Sequence, residues 1–105
     1  MRKIAIAAEN KSLNAKLAYR AGMCPWFCIL DINGGTEFFE NPGYYASAAF
    51  GVHAFRFLEE KNVNVIVARF FGPRFQALSR ESGISLMVPP PHVNKVKDII
   101  ESFNK

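Results

Sequence analysis

The run Val63-Asn64-Val65-Ile66-Val67-Ala68-Arg69-Phe70-Phe71-Gly72-Pro73-Arg74 limits what this chain can fold into more than any other stretch. Its apolar first half is short and mostly β-branched, which suits a strand covered on both faces better than one with a wet side. Gly72 then frees the backbone, and Pro73 presets the φ of a first helical residue. Phe75 and Leu78 supply a helical stripe that stops at Gly83. The order is strand, tight loop, helix. In an open α/β sheet such a loop lies at the carboxyl end of a central strand, where ligands usually bind, and the helix N-terminus beyond it favours anions. Arg69 and Arg74 flank this loop.

The other elements arrange themselves around that unit. Lys3 to Ala8 alternates briefly and ends in small residues that let a helix or loop approach closely, as a first strand. Glu9 to Met23 has no sustained period and reads as a long ordered loop, a kind of segment that is often functional in a compact domain. Trp26 to Ile32 and Thr36 to Glu40 are strands joined by the turn signal Asn33-Gly34-Gly35. From Ser47, a candidate N-cap, to Lys61 the residues Ala48, Ala49, Val52, Phe55 and Leu58 fall at helical spacing, with small residues from Ala46 to Gly51 permitting close approach. Ile84 to Val88 is a last strand, closed by Pro89-Pro90-Pro91, and Val93, Val96, Ile99, Ile100 and Phe103 mark a terminal amphipathic helix. The pattern predicts a three-layer α/β/α domain over residues 1–105. Its mixed five-stranded sheet has the order 3-2-1-4-5, with helices on both faces. Ile4, Ile29, Phe55, Ile66, Val67 and Leu78 are expected to share the core.

Totals narrow the function classes. A formal charge of +4 mildly favours anionic partners, but no block of like charge resembles a nucleic-acid arm. No apolar run is long enough for a membrane span and no signal peptide is visible, so the expected location is the cytoplasm. There is no Walker loop, no Gly-x-Ser-x-Gly elbow, no GxGxxG opening a helix and no histidine pair at zinc spacing, so classical catalysis is not expected. Two-metal nuclease chemistry needs several carboxylates, and the first strand has none.

Individual side chains leave alternatives. Arg20, Arg69 and Arg74 either converge at one sheet edge, where they would bind oxyanions bidentately, or stand in solvent. Cys24 and Cys28 are the only cysteines, and Cys28 falls inside a strand, so the two need not meet on one ion; Cys28 is expected in the core. His53, one turn inside an apolar helix, is expected to be a satisfied structural histidine. Phe70 and Phe71 are expected to pack under the loop.

The chain also resembles a known family, the dinitrogenase iron-molybdenum cofactor biosynthesis proteins. The resemblance covers nearly all of it. It is carried by Lys3-Ile4-Ala5-Ile6 with Glu9-Asn10, Gly22 followed by Pro25-Trp26-Phe27, Glu40-Asn41-Pro42, Gly51-Val52, Gly72-Pro73-Arg74 and Gly83-Ile84, in order and nearly without gaps. The resemblance implies a ribonuclease-H-like fold that holds an iron-sulfur or molybdenum-containing cluster, or delivers it to a client protein, between the first loop and neighbouring loop ends. Where the family commonly has His-Phe-Gly-Arg, this chain has Arg20-Ala21-Gly22-Met23, and a guanidinium has no lone pair to give a metal. Cys24 is then the candidate metal ligand, a soft thiolate of the kind iron-sulfur centres prefer. The expected site comprises Arg20, Gly22, Cys24, Gly72 and Arg74, and its partners are a metal-sulfur cluster and a client or donor protein, with no nucleic acid and no membrane. The alternative is a relative without metal, acting as a protein-interaction or small-anion-sensing module.

Overall fold

The computed structural model describes residues 2–46 and 48–104. Five strands, β1 (Lys3–Ala8), β2 (Trp26–Asp31), β3 (Gly35–Glu40), β4 (Val65–Val67) and β5 (Ser85–Met87), form one sheet in the order β3-β2-β1-β4-β5. The predicted strand order is the observed one. β2 and β3 make the expected antiparallel hairpin. β1 pairs antiparallel to β2 and parallel to β4, and β4 pairs parallel to β5. Asp31 turns out to organise the hairpin turn: its carboxylate accepts the N–H of Asn33, and Gly35 takes a positive φ of 88°.

Period-two alternation sends successive side chains of each strand to opposite faces, and the helices follow. Ala5, Ala7, Phe27, Ile29 and Ile66 face α1 (Phe50–Glu60) and α2 (Pro73–Ser82), packing with Ala54, Phe55, Leu58 and Phe75. Ile4, Ile6, Cys28, Leu30, Val65 and Val67 face the other way, toward Val96 and Ile99 of α3 (Val96–Phe103). The core is therefore two cores separated by the sheet. Ile29, Ile66, Phe55 and Leu78 share one, whereas Ile4 and Val67 belong to the other; a strand buried on both faces divides its own side chains between two layers. The alanines of β1 face the bulky Phe55 and Leu58, so large meets small and α1 sits close to the sheet.

Several boundaries differ from the sequence reading. The predicted N-cap Ser47 lies outside the described residues, and α1 starts later, at Phe50, after Ala49 in the left-handed region with φ 57°. β4 is shorter than the apolar run that announced it. α3 begins at Val96 rather than Val93, because residues before it are drawn into main-chain bonds with the first loop: Leu17 N–H donates to Asn94 O at 2.8 Å and Val96 N–H to Ala15 O at 3.0 Å. Only α2 matches its signals closely, with Pro73 at the first helical position and Gly83 at φ 79° ending it. His53 is exposed on α1, not buried as its apolar neighbours implied.

Arg69 does not face the β4–α2 loop. Its guanidinium crosses to the chain after β5, donating to the carbonyls of Pro89 and Pro90 at 3.0 Å each, to that of Val93 and to Asn94 Oδ1. Prolines have no N–H with which to tie themselves to the sheet, and this side chain holds the triplet in place through its carbonyls.

Ile66 is fully buried between two parallel neighbours. Ile66→Ala should lower unfolding free energy by about 2–5 kcal/mol in urea titrations. A loss under about 1 kcal/mol, the scale of a surface change, would contradict the central position of β4.

Candidate functional site

Because β1 and β4 are parallel neighbours, the segments leaving them emerge on one side of the sheet. The first loop comes back along that edge. Leu17 pairs with Ala8, and Arg20 bridges Phe70 in parallel, with Phe70 N–H donating to Tyr19 O at 2.7 Å and Ala21 N–H to Phe70 O at 3.3 Å. The loop then closes in a 3-10 turn, Ala21–Met23. The sequence reading of Glu9 to Met23 as ordered agrees with this ladder of main-chain bonds.

A cleft of about 170 Å³ opens where these segments meet. One wall is Arg20 to Met23, a second is Phe50 and Gly51 at the start of α1, and a third is Phe70 with Gly72, Pro73, Arg74 and Phe75 at the start of α2. Two helix N-termini thus border one cavity. Neither has a side-chain cap or an acidic residue in its first turn. The first N–H groups of a helix have no intrahelical acceptor, and the helix dipole adds a partial positive charge there. Close approach is possible because glycines meet: a Cβ on Gly22 would stand 3.0 Å from Gly51 Cα.

Two guanidiniums complete the electrostatics. Arg20 lies 5.1 Å from the Phe70 ring centroid, and Phe70 in turn stacks on Tyr19 at 5.8 Å, so the cation is held by an aromatic face and not by a carboxylate. Phe70 therefore lines the cleft, while Phe71 is buried in the core as expected. Among the described residues the ion pair found is Arg56 with Glu59 on α1, which leaves Arg20 and Arg74 without an acidic partner. Of the three arginines, Arg20 and Arg74 converge and Arg69 does not.

Gly22 and Gly72 line this cleft; Cys24 lies beside it. Cys24 floors a second, wider cleft of about 660 Å³ that shares Arg20 and Met23 with the first and is otherwise edged by Glu9, Ala18, Tyr19, Pro25 and Tyr44. Only 2% of Cys24 is exposed, and its Sγ is 3.4 Å from the Ala21 carbonyl, to which the thiol donates. Burial pushes this thiol up to about 12, against weaker opposing hydrogen bonds led by that of Asn41, and pushes Cys28 up to about 11. Both are protonated thiols at neutral pH. Cys28 lies in the α3-side core, across the sheet from Cys24, so the pair does not converge. Among the described residues no three His, Cys, Asp or Glu side chains are grouped to hold a metal ion. The donors gathered at the first cleft suit an anion that brings its own coordination shell; they do not form a ligand set for a bare ion.

Sequence reasoning missed Asn41 as a structural element of the site. It registered within Glu40-Asn41-Pro42, among the residues that carry the family resemblance, and with no role of its own, yet its side chain is completely buried behind the Ala21–Met23 turn. The signal available was the asparagine before the turn; where its amide points depends on a loop distant in sequence.

The fold and cleft define a small three-layer α/β domain with a mixed sheet of order 3-2-1-4-5 and a basic cleft at the carboxyl ends of β1 and β4. The sequence matches the family profile described as dinitrogenase iron-molybdenum cofactor over residues 2–105, and the chain belongs to that family. Its fold is similar to that of the apo form of the orange protein from Desulfovibrio gigas. The TM-score is 0.86 and the identity 22%, with 98% of this chain and 87% of that one covered. It is also similar to the NMR structure of a NifB candidate from Thermotoga, TM1290, with a TM-score of 0.77, 23% identity and coverage of 98% and 87%. None of the curated proteins matches this chain in sequence. Among the described residues no helix is long and apolar enough to cross a membrane.

The buried thiol yields a pH prediction. In the unfolded chain Cys24 ionises from its ordinary 9.0, whereas in the folded chain it holds its proton to about 12. Above the lower value the unfolded state binds fewer protons, so this group's contribution to stability falls as pH rises through that interval. Urea midpoints at pH 8 and pH 10.5 should therefore differ less in Cys24→Ala than in the parent, and at pH 8 the native Cys24 thiol should resist alkylation until the protein is unfolded.

Proposed function

We propose that this protein binds and carries an anionic metal-sulfur cluster, of the iron-sulfur or molybdenum-containing kind, in the cleft between Arg20 and Arg74, without catalysing a reaction on it. One observation carries this reading: two helix N-termini without a side-chain cap and two guanidiniums without an acidic partner, among the described residues, border the same cavity. Like charges and dipole ends that repel one another are stabilised when an anion sits between them. Membership of a family named for the iron-molybdenum cofactor of dinitrogenase supports the choice of anion.

The rest of the lining favours a soft, poorly hydrated anion over a hard oxyanion. Ala21, Met23, Phe50, Phe70, Pro73 and Phe75 are apolar, and Arg is the more weakly hydrated of the two common cations. A cluster whose own sulfides complete its coordination needs charge neutralisation and an apolar seat, not a protein ligand. Arg20, Gly22, Gly72 and Arg74 serve as the holding residues. Cys24 becomes a ligand only if the Ala21–Met23 turn moves and the thiol loses its proton. A second reading, small-anion sensing without metal, rests on the cleft's volume of about 170 Å³, which is on the scale of one tetrahedral anion.

Anaerobic titration with tetrathiomolybdate, followed by its visible absorption, separates these possibilities. Arg74→Ala and Arg20→Ala should each weaken binding about tenfold, the loss of one charge-assisted contact of ~1–2 kcal/mol. Cys24→Ser should bind as the parent does. Molybdate should bind more weakly than its thio analogue. Equal binding of molybdate favours the sensing reading, abolition by Cys24→Ser would establish coordination instead of electrostatic holding, and no uptake of any cluster by the parent would end the carrier reading.

A further inference from the structure

We propose that Asn41 is the positioning residue of the anion cleft: its carboxamide sets the spacing between the Ala21–Met23 wall and the N-terminus of α1. The inference rests on the carrier reading for its ligand, but its geometric part is tested without one. Asn41 lines neither cleft and touches no cargo. It is the buried polar residue of the described chain, at 0% exposure, and every polar group it has is engaged.

Its bonds run between the end of the first loop, which carries the Gly22 wall, and the turn after β3 that packs behind it. Nδ2 donates to Cys24 O at 2.8 Å and lies 3.4 Å from Gly22 O, while Oδ1 accepts from Gly43 N–H at 2.8 Å. The main chain adds Asn41 N–H to Pro25 O and Tyr44 N–H to Asn41 O, each at 3.0 Å. One amide therefore joins the first loop's last turn to the turn after β3. Only an amide provides a donor for one side and an acceptor for the other; a carboxylate would put an oxygen against the Cys24 carbonyl.

What makes this more than a local cap is the contact beyond it. A Cβ on Gly43 would stand 2.5 Å from Phe50 O and 3.0 Å from Gly22 O, and one on Gly22 would stand 3.0 Å from Gly51 Cα. The three backbones are in contact with no side chain between them to take up a shift. Gly22 and Gly51 are cleft walls, and Gly43 is held by Asn41. A loosened Asn41 therefore frees both walls, whereas a side chain that merely closed the hairpin would leave them in place.

The experiment compares Asn41→Ala and Asn41→Asp with Ile99→Ala, a core truncation on the α3 face of the sheet. All are studied well below their melting temperatures. In the ligand-free proteins the amide resonances of Gly22, Gly51 and Gly72 are recorded by NMR, and tetrathiomolybdate is then titrated in. The Asn41 variants should move the Gly22 and Gly51 amides and weaken binding about tenfold or more, with Ile99→Ala within about twofold of the parent despite its loss of stability. Should Asn41→Ala not fold, Asn41→Ser, which keeps a small hydroxyl, replaces it. Unmoved Gly22 and Gly51 amides in a folded Asn41 variant, or affinity equal to the parent's, would overturn the proposal. A parent that binds no thiomolybdate refutes the carrier reading, and the amide shifts still decide the role of Asn41.

Discussion

The parallel pairing of β1 with β4, Ile4 with Val65 through Ile6 with Val67, is the constraint on which the rest of the structure depends. Parallel strands require a crossover, so the chain must travel through the hairpin and α1 before it returns beside its own start. Once it has returned, two loops leave the sheet on the same side, and their ends are within reach of each other. Everything at the cleft follows from that juxtaposition: the Arg20–Phe70 bridge, the placement of the α2 N-terminus, and the wedge of α1 against the Ala21–Met23 turn. The short side chains of β1 contribute on the other axis, because Ala5 and Ala7 let α1 lie low enough for Gly51 to meet Gly22.

The fold was legible because its signals are local and redundant. Strand β4, its Gly-Pro turn and α2 are announced by residues adjacent in sequence, and the hairpin by Asn33-Gly34-Gly35. Strand order alone brings the loops that carry Arg20 and Arg74 to one side of the sheet. What the sequence did not disclose depends on contacts between distant segments. Arg69 is drawn away from the loop by proline carbonyls some twenty residues later. Phe70 is held at the cleft by Tyr19 and Arg20. Asn41 acquires its role from loop carbonyls that precede β2. His53 misled because it was read from its apolar sequence neighbours; on the helical period it falls on the face opposite the buried Phe55 and Leu58, where it is exposed.

The chemistry of the cleft differs from that of a protein-made metal site. Coordination by side chains requires deprotonated ligands fixed at short distances, and burial opposes that for Cys24. Electrostatic holding, the proposed reading, requires instead that positive groups converge, and Arg20 and Arg74 line one cleft. Arg20, at the place where the resemblance implies a histidine, then has a physical reading: a potential ligand is exchanged for a charge.

The main-chain ladder along Glu9–Met23 has a consequence for how tightly the cleft would hold the anion proposed for it. Ordering a flexible loop costs roughly 1–2 kcal/mol per residue in backbone conformational entropy. Here the loop is tied to β1 through Ala18 N–H and Ala7 O, to the segment after β4 through Phe70, and to the start of α3 through Leu17 and Val96. That entropy is lost when the protein folds, with the sheet and helix burial offsetting it. On the proposed reading an arriving anion therefore meets a loop backbone already in place, and its binding free energy is not diminished by ordering that backbone around it.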